Sequence, residues 1–180
     1  MPQKFNYIDF SNSITSMPRK SASLSKDRYI SNEFMELEWE GIWTKTWLFA
    51  GIESDLAEVG DFFVYDIGRE SIVITRNEKM KISAFYNVCQ HRGNKIVTIE
   101  SGSFNRVSCP YHGWTYSLNG KLEHVPDREL FEGGVPCEEH SLKPVRVSIW
   151  AGLIFINMDE KSSSLETFLG PIIDQLKPYK

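Results

Sequence analysis

Hydrophobic positions recur along this chain at two periods. Between Ser31 and Thr46 the spacing is helical: Met35, Trp39, Ile42, Trp43 and Thr46 share one face, and Glu36, Glu38 and Glu40 lie on others. Ser31 or Asn32 is placed to cap this segment, and Glu33 suits the positive end of the helix dipole. The pattern predicts an amphipathic packing helix of about three turns. Beyond it the runs shorten and turn β-branched and aromatic. Trp47–Ala50 is a first short strand. Phe62–Ile67, Ser71–Arg76 and Lys81–Asn87 follow as a meander, punctuated at Gly60-Asp61, Gly68-Arg69-Glu70 and Asn77-Glu78. Ser101-Gly102-Ser103 reads as a turn, Phe104–Ser108 as a short strand, and Thr115–Leu122 as a hairpin around Asn119-Gly120. Residues 123–144 form a long irregular connection. Val145–Trp150 and Leu153–Asn157 are two more strands around Ala151-Gly152. Ser163 and Glu166 make a capping box before the apolar stripe Leu165, Phe168, Leu169, Ile172 and Leu176, which Gly170-Pro171 interrupts. The fold class expected is mainly β, an antiparallel β-sandwich of stacked small sheets with an N-terminal amphipathic helix and a short C-terminal helix.

Composition changes this picture little. At 180 residues with 41% hydrophobic side chains, the chain suffices for one core with appendages. A net charge of −4, with no basic stretch, argues against nucleic acid as a partner. No apolar run has the form of a signal peptide or reaches membrane-spanning length, so no membrane role is expected. Residues 1–27 carry scattered serines and read as a loose or docked arm. With 3 cysteines and no disulfide framework, a reducing cytoplasm is the natural setting.

The chemistry concentrates in two boxes. Cys89-Gln90-His91-Arg92-Gly93 is Cys-x-His; after 17 residues, Cys109-Pro110-Tyr111-His112-Gly113-Trp114 is Cys-x-x-His. A two-iron, two-sulfide cluster with split ligands wants this set: thiolates on one iron, and neutral imidazoles on the iron that accepts the electron, where they raise the potential. One ligand of each kind from each box would let two loop tips clamp the cluster, with both histidines at its outer edge. Two Cys and two His also make a tetrahedral zinc set, although a one-residue spacer chelates a single ion poorly. Unrelated residues are the third reading. His124 and His140, with no paired carboxylates nearby, read as surface or packing histidines, and Cys137 as an inert thiol.

These two boxes resemble those of Rieske iron–sulfur domains, in the version carried by the alpha subunits of ring-hydroxylating oxygenases. The resemblance extends more weakly from about Tyr29 to Trp150. It implies a Rieske-type β-sandwich and a 2Fe-2S cluster held by Cys89, His91, Cys109 and His112. Around these ligands, Gly93 and Gly113 give tight loops, Arg92 braces the first box through an ion pair, and Trp114 screens the cluster from water. The positions that carry disulfide-forming cysteines in the respiratory kind are Asn94 and Tyr111. Trp114 replaces a hydroxyl donor of that kind, whereas Tyr116 matches its tyrosine. Fewer donors to sulfur imply a potential near the low end of the Rieske range, on the order of −150 mV.

The organisation expected is an arm and packing helix over 1–45, a Rieske domain over 46–157, and a tail and helix over 158–180 leading to a catalytic domain outside this chain. That domain is expected to carry mononuclear Fe(II). The resemblance implies a ferredoxin or reductase as electron donor and the catalytic domain of the same or a neighbouring alpha subunit as acceptor, in a trimer. On this reading the chain is part of an oxygenase, excised or truncated, and is not catalytically complete. A stand-alone Rieske ferredoxin and a zinc-stapled binding module are the alternatives.

Overall fold

The computed structural model describes residues 24–135 and 137–179; most of the serine-bearing arm lies outside the described residues. The chain divides into two compact units, Met1–Met35 and Glu36–Lys180. In the first, the described part holds the helix Asp27–Ile30, with the Arg28 guanidinium over the Phe34 ring at 5.3 Å.

The predicted packing helix is present but not uniform. Asn32–Glu38 is α-helical and Trp39–Trp43 is a π-helical turn, closed by Thr44 N donating to the Trp39 carbonyl at 3.2 Å. The wider turn breaks the expected stripe: Trp39 is buried, Trp43 half-buried, and Ile42 exposed. Trp39 packs on Gly68, where any Cβ would collide with the indole, and Arg69 covers the ring at 5.3 Å.

Among the described residues, ten strands make three antiparallel sheets. The first contains β1 (Leu48–Ile52), β10 (Leu153–Asn157) and β9 (Arg146–Trp150), in that order. The second runs β4 (Ile82–Tyr86), β3 (Glu70–Arg76), β2 (Asp61–Ile67), β5 (Ser101–Ser103). The third is β6 (Val107–Ser108), β7 (Thr115–Tyr116) and β8 (Leu122–His124). The antiparallel architecture expected from the pattern holds.

Strand β3 is the centre. Its run Ile72-Val73-Ile74 lacks the alternation of a half-buried strand because both faces are covered. Ile72 and Ile74 pack with Leu48, Ile154 and Ile156 of the first sheet. Val73 belongs instead to a second cluster, with Phe62, Phe85 and, from the two boxes, Cys89, Cys109 and Trp114. Arg76 is buried at the end of β3, where it donates to the carbonyls of Leu56 and Met80 and pairs with Glu53 at 3.3 Å.

Ser101–Ser103, expected as a turn, is an edge strand: Asp61, Phe62 and Phe63 pair with Ser103, Gly102 and Ser101. Its three residues are exposed and carry no hydrophobic side chain, so only backbone pairing defines it. The preceding expectation of a strand over Phe104–Ser108 shrinks to Val107–Ser108. The hairpin at Asn119-Gly120 is present, with Gly120 at φ +83 and its amide bonded to Ser117 O at 2.9 Å. The C-terminal stripe breaks at Gly170-Pro171 as expected, giving helices Leu165–Leu169 and Ile172–Leu176. Its cap is Ser164, not Ser163: the Ser164 hydroxyl accepts from Thr167 N at 3.2 Å, while the Ser163 carbonyl is taken by Trp47 Nε1 at 3.0 Å. Leu165 and Leu169 pack on Trp47, whereas Phe168, Ile172 and Leu176 are exposed.

Candidate metal centre

Both boxes are built the same way. In the first, Cys89 N bonds to Asn94 O at 2.9 Å and Gly93 N to Cys89 O at 2.9 Å. In the second, Cys109 N bonds to Trp114 O at 2.8 Å and Gly113 N to Cys109 O at 3.0 Å. Each loop closes over four residues and needs a left-handed residue at its fifth place; Gly93 and Gly113 take φ +70 and +69. The loops differ in where the histidine falls, third in one and fourth in the other. The Ser108–Thr115 pair of β6 and β7 closes the second loop at its base.

Asn87 closes the first. It is fully buried, and its side-chain oxygen accepts from Ile96 N at 3.1 Å and Val97 N at 2.8 Å. Its amide nitrogen donates to Val97 O at 2.8 Å and to Ser71 Oγ at 3.2 Å. Sequence reasoning passed over Asn87. Its only signal was a polar residue at the buried end of a strand leading straight into a box.

The structure brings the four expected ligands together as two pairs, thiol by thiol and imidazole by imidazole. Cys89 and Cys109 are buried side by side, and burial together with the neighbouring Cys109 thiol holds the Cys89 thiol above the ordinary cysteine range. The Tyr116 hydroxyl and the His91 amide pull the other way. The rings of His91 and His112 meet edge-on, centroids 4.7 Å apart at 73°, and both residues are half-exposed. Burial, then the charges of His112, Arg92 and His140, hold His91 below the ordinary imidazole value and so in the neutral form a metal ligand needs. The donors are thus paired two and two, thiols inside and imidazoles at the rim. Among the described residues no group of three or more His, Cys, Asp or Glu side chains is placed to hold a metal ion.

Two details fit a cluster at this place. His91 Nδ1 is buried with no hydrogen-bond partner, an arrangement costly for a free imidazole and expected of a nitrogen that binds metal. The Tyr116 hydroxyl sits 3.3 Å from Cys89 Sγ while accepting from Gln90 N at 3.2 Å. With Gln90 donating to its oxygen, the phenol is free to give its own proton to sulfur. Burial and the adjacent thiol push its pKa upward, so it stays a donor.

Trp114, 4% exposed, stacks on His91 with centroids 4.8 Å apart and planes 8° from parallel. Tyr111, 60% exposed, lies tilted over His112 at 3.7 Å. His124 is exposed on β8, and His140 packs on Trp114 at 5.5 Å. The ion pair expected of Arg92 is not formed among the described residues. Arg92 sits exposed at the loop tip, beyond the last paired residue, and the base of the loop is braced by Lys95 to Asp66 at 3.4 Å.

The family model that describes a Rieske [2Fe-2S] domain matches residues 46–139. The glycine betaine monooxygenase oxygenase subunit of Pseudomonas aeruginosa is 32% identical over 164 residues, 88% of this chain and 37% of that protein. The biphenyl dioxygenase alpha subunit of Paraburkholderia xenovorans is 36% identical over 158 residues, 84% of this chain and 34% of that protein. Among solved structures, a quaternary ammonium Rieske monooxygenase studied for carnitine oxidation and inter-subunit electron transfer superposes with a TM-score of 0.79 at 36% identity, covering 85% of this chain and 42% of that one. The chain thus spans under two fifths of the length of these two curated relatives. Two matched loops, a split set of thiols and imidazoles, and these likenesses agree: the chain belongs to the Rieske [2Fe-2S] domain family and is homologous to the alpha subunits of Rieske oxygenases.

Proposed function

We propose that this chain is the electron-relay part of a Rieske non-haem iron oxygenase, with Cys89 and Cys109 holding one iron of a 2Fe-2S cluster and His91 and His112 the other. The observation that carries the reading is the sorting of donors, with two thiols buried and two imidazoles at the rim. When bound, the cluster supplies one-electron chemistry between a ferredoxin or reductase and a mononuclear iron in a catalytic domain. The residues do the rest. Trp114 keeps water from the face of His91. The Tyr116 hydroxyl donates to the Cys89 sulfur and lowers the cost of the negative charge there. The half-exposed histidines offer the shortest way in and out for an electron.

The proposal includes a division into an arm and helix to residue 45, an iron–sulfur domain over 46–157 and a tail over 158–180. It also includes assembly as a trimer, in which acceptance by a neighbouring subunit is supported by the inter-subunit transfer studied in the carnitine-oxidising relative. Relatives act on glycine betaine, carnitine or biphenyl, so the aromatic substrate that the resemblance implies stands beside a quaternary ammonium one. Among the described residues no helix is long and apolar enough to cross a membrane. Reconstitution with iron and sulfide tests the core of the proposal. Equal iron and acid-labile sulfide, two of each per chain, is expected. Zinc as the tightly bound metal, without sulfide, would refute it.

A further inference from the structure

A third histidine is built into the candidate centre. A metal-bound imidazole can turn about its metal–nitrogen bond, and proteins usually stop this by hydrogen-bonding the other ring nitrogen. With the unpartnered Nδ1 as the nitrogen that would face the metal, no described residue gives the other ring nitrogen of His91 such a bond; only burial and the charges of His112, Arg92 and His140 act on the ring. What meets it instead is the indole of Trp114, 8° from parallel. Trp114 in turn stacks on His140, at 5.5 Å and 21°.

His140 belongs to neither box and lies just past the segment matched by the family model. Its position is nevertheless held. The next residue, Ser141, donates to Cys137 O at 2.8 Å and accepts from Leu122 N of β8 at 3.1 Å. Leu142 N donates to Gly120 O at 2.8 Å in the Asn-Gly turn. The segment bearing His140 is therefore tied to the hairpin that follows the second box, which sets its backbone beside Trp114.

We infer that His140 is a positioning residue of the redox centre: stacked on Trp114, it holds the indole plane that in turn holds the imidazole plane of His91. The inference rests on His91 being an iron ligand, as proposed above. The flat face of the side chain at 140, and not its charge, is what matters. A flat, uncharged ring preserves the stack, whereas a branched aliphatic side chain of similar bulk leaves the indole free to tilt and admits water beside it. Water favours the more negative, reduced state, so the potential rises.

The test compares His140→Phe with His140→Leu in the reconstituted 180-residue chain, by redox titration and by electron paramagnetic resonance of the reduced form. The phenylalanine variant is expected to keep the parent's potential and g-values. The leucine variant is expected to shift its reduction equilibrium upward by threefold to tenfold, about 30 to 60 mV for one electron, and to broaden the g-features. Loss of the cluster by the leucine variant alone also supports the stack. Two variants that behave alike, whether both match the parent, both shift or both lose the cluster, overturn it. Failure of the parent itself to give a reduced-cluster spectrum overturns the ligand assignment instead.

Discussion

At the scale of single residues, the two box glycines share a backbone conformation but not a setting. Nothing lies within 4 Å of a Cβ placed at Gly93, whereas one at Gly113 meets Pro126 Cγ at 3.2 Å. Gly93→Ala is therefore expected to cost about 1 kcal/mol, the strain of a left-handed alanine alone. Gly113→Ala carries the same strain plus a clash and is expected to cost about 2 kcal/mol or more. Chemical denaturation of the two variants orders them. Tyr116→Phe removes the hydroxyl that reaches Cys89 Sγ at 3.3 Å. A hydrogen bond to a charged group is worth roughly 1.5 kcal/mol, so the potential of the reconstituted chain is expected to fall by about 60 mV. An unchanged redox titration would show that the phenol does not serve the sulfur. Which residues form the boxes was legible from spacing alone, because a thiol and an imidazole so close in so few residues have few other uses. The fate of Arg92 was not: a sequence names a charge, while its partner depends on which strand happens to run within reach.

At the scale of elements, the strands with large apolar side chains were legible and the remainder depended on backbone pairing. Leu153–Asn157 begins and ends where its pattern does, since every second side chain finds a core. Ser101–Ser103 has no such pattern and became a strand only because β2 offered it an edge. The π-turn at Trp39–Trp43 likewise has no signature in the spacing that suggested one even helix; it forms where it brings Trp39 over Gly68. The cap moved from Ser163 to Ser164 because Trp47, far away in sequence, engages the Ser163 carbonyl. Asn87 is the element-scale residue on which the first box depends, because its four hydrogen bonds join β3, β4 and the loop's return. Asn87→Ala leaves buried amides and a carbonyl unpaired, which costs about 1–3 kcal/mol per group. A loss of about 3 kcal/mol in unfolding free energy is expected, together with poor retention of iron. A variant as stable as the parent by denaturant titration would mean that the loop closes without it.

For the molecule as a whole, two measurements bear on function. The potential of the reconstituted chain is expected near −150 mV, at the low end of the Rieske range, because among the described residues Tyr116 places the one hydroxyl found beside the Cys89 sulfur and Trp114 offers an apolar face. A clearly positive value in a redox titration would contradict it. The 180 residues on their own are expected to take up one electron per cluster and to turn over neither aromatic nor quaternary ammonium compounds; any hydroxylated product would sink that separation of roles. By itself the sequence determined the chemistry and the fold class, because ligand spacing is a local property and strand patterning repeats every two residues. It did not determine how donors sort in space. That thiols lie inside and imidazoles at the rim, that Trp114 bridges His91 and His140, and that β3 is buried on both faces follow from packing between segments distant along the chain. Such contacts form only when the whole core closes, and no spacing within one segment encodes them.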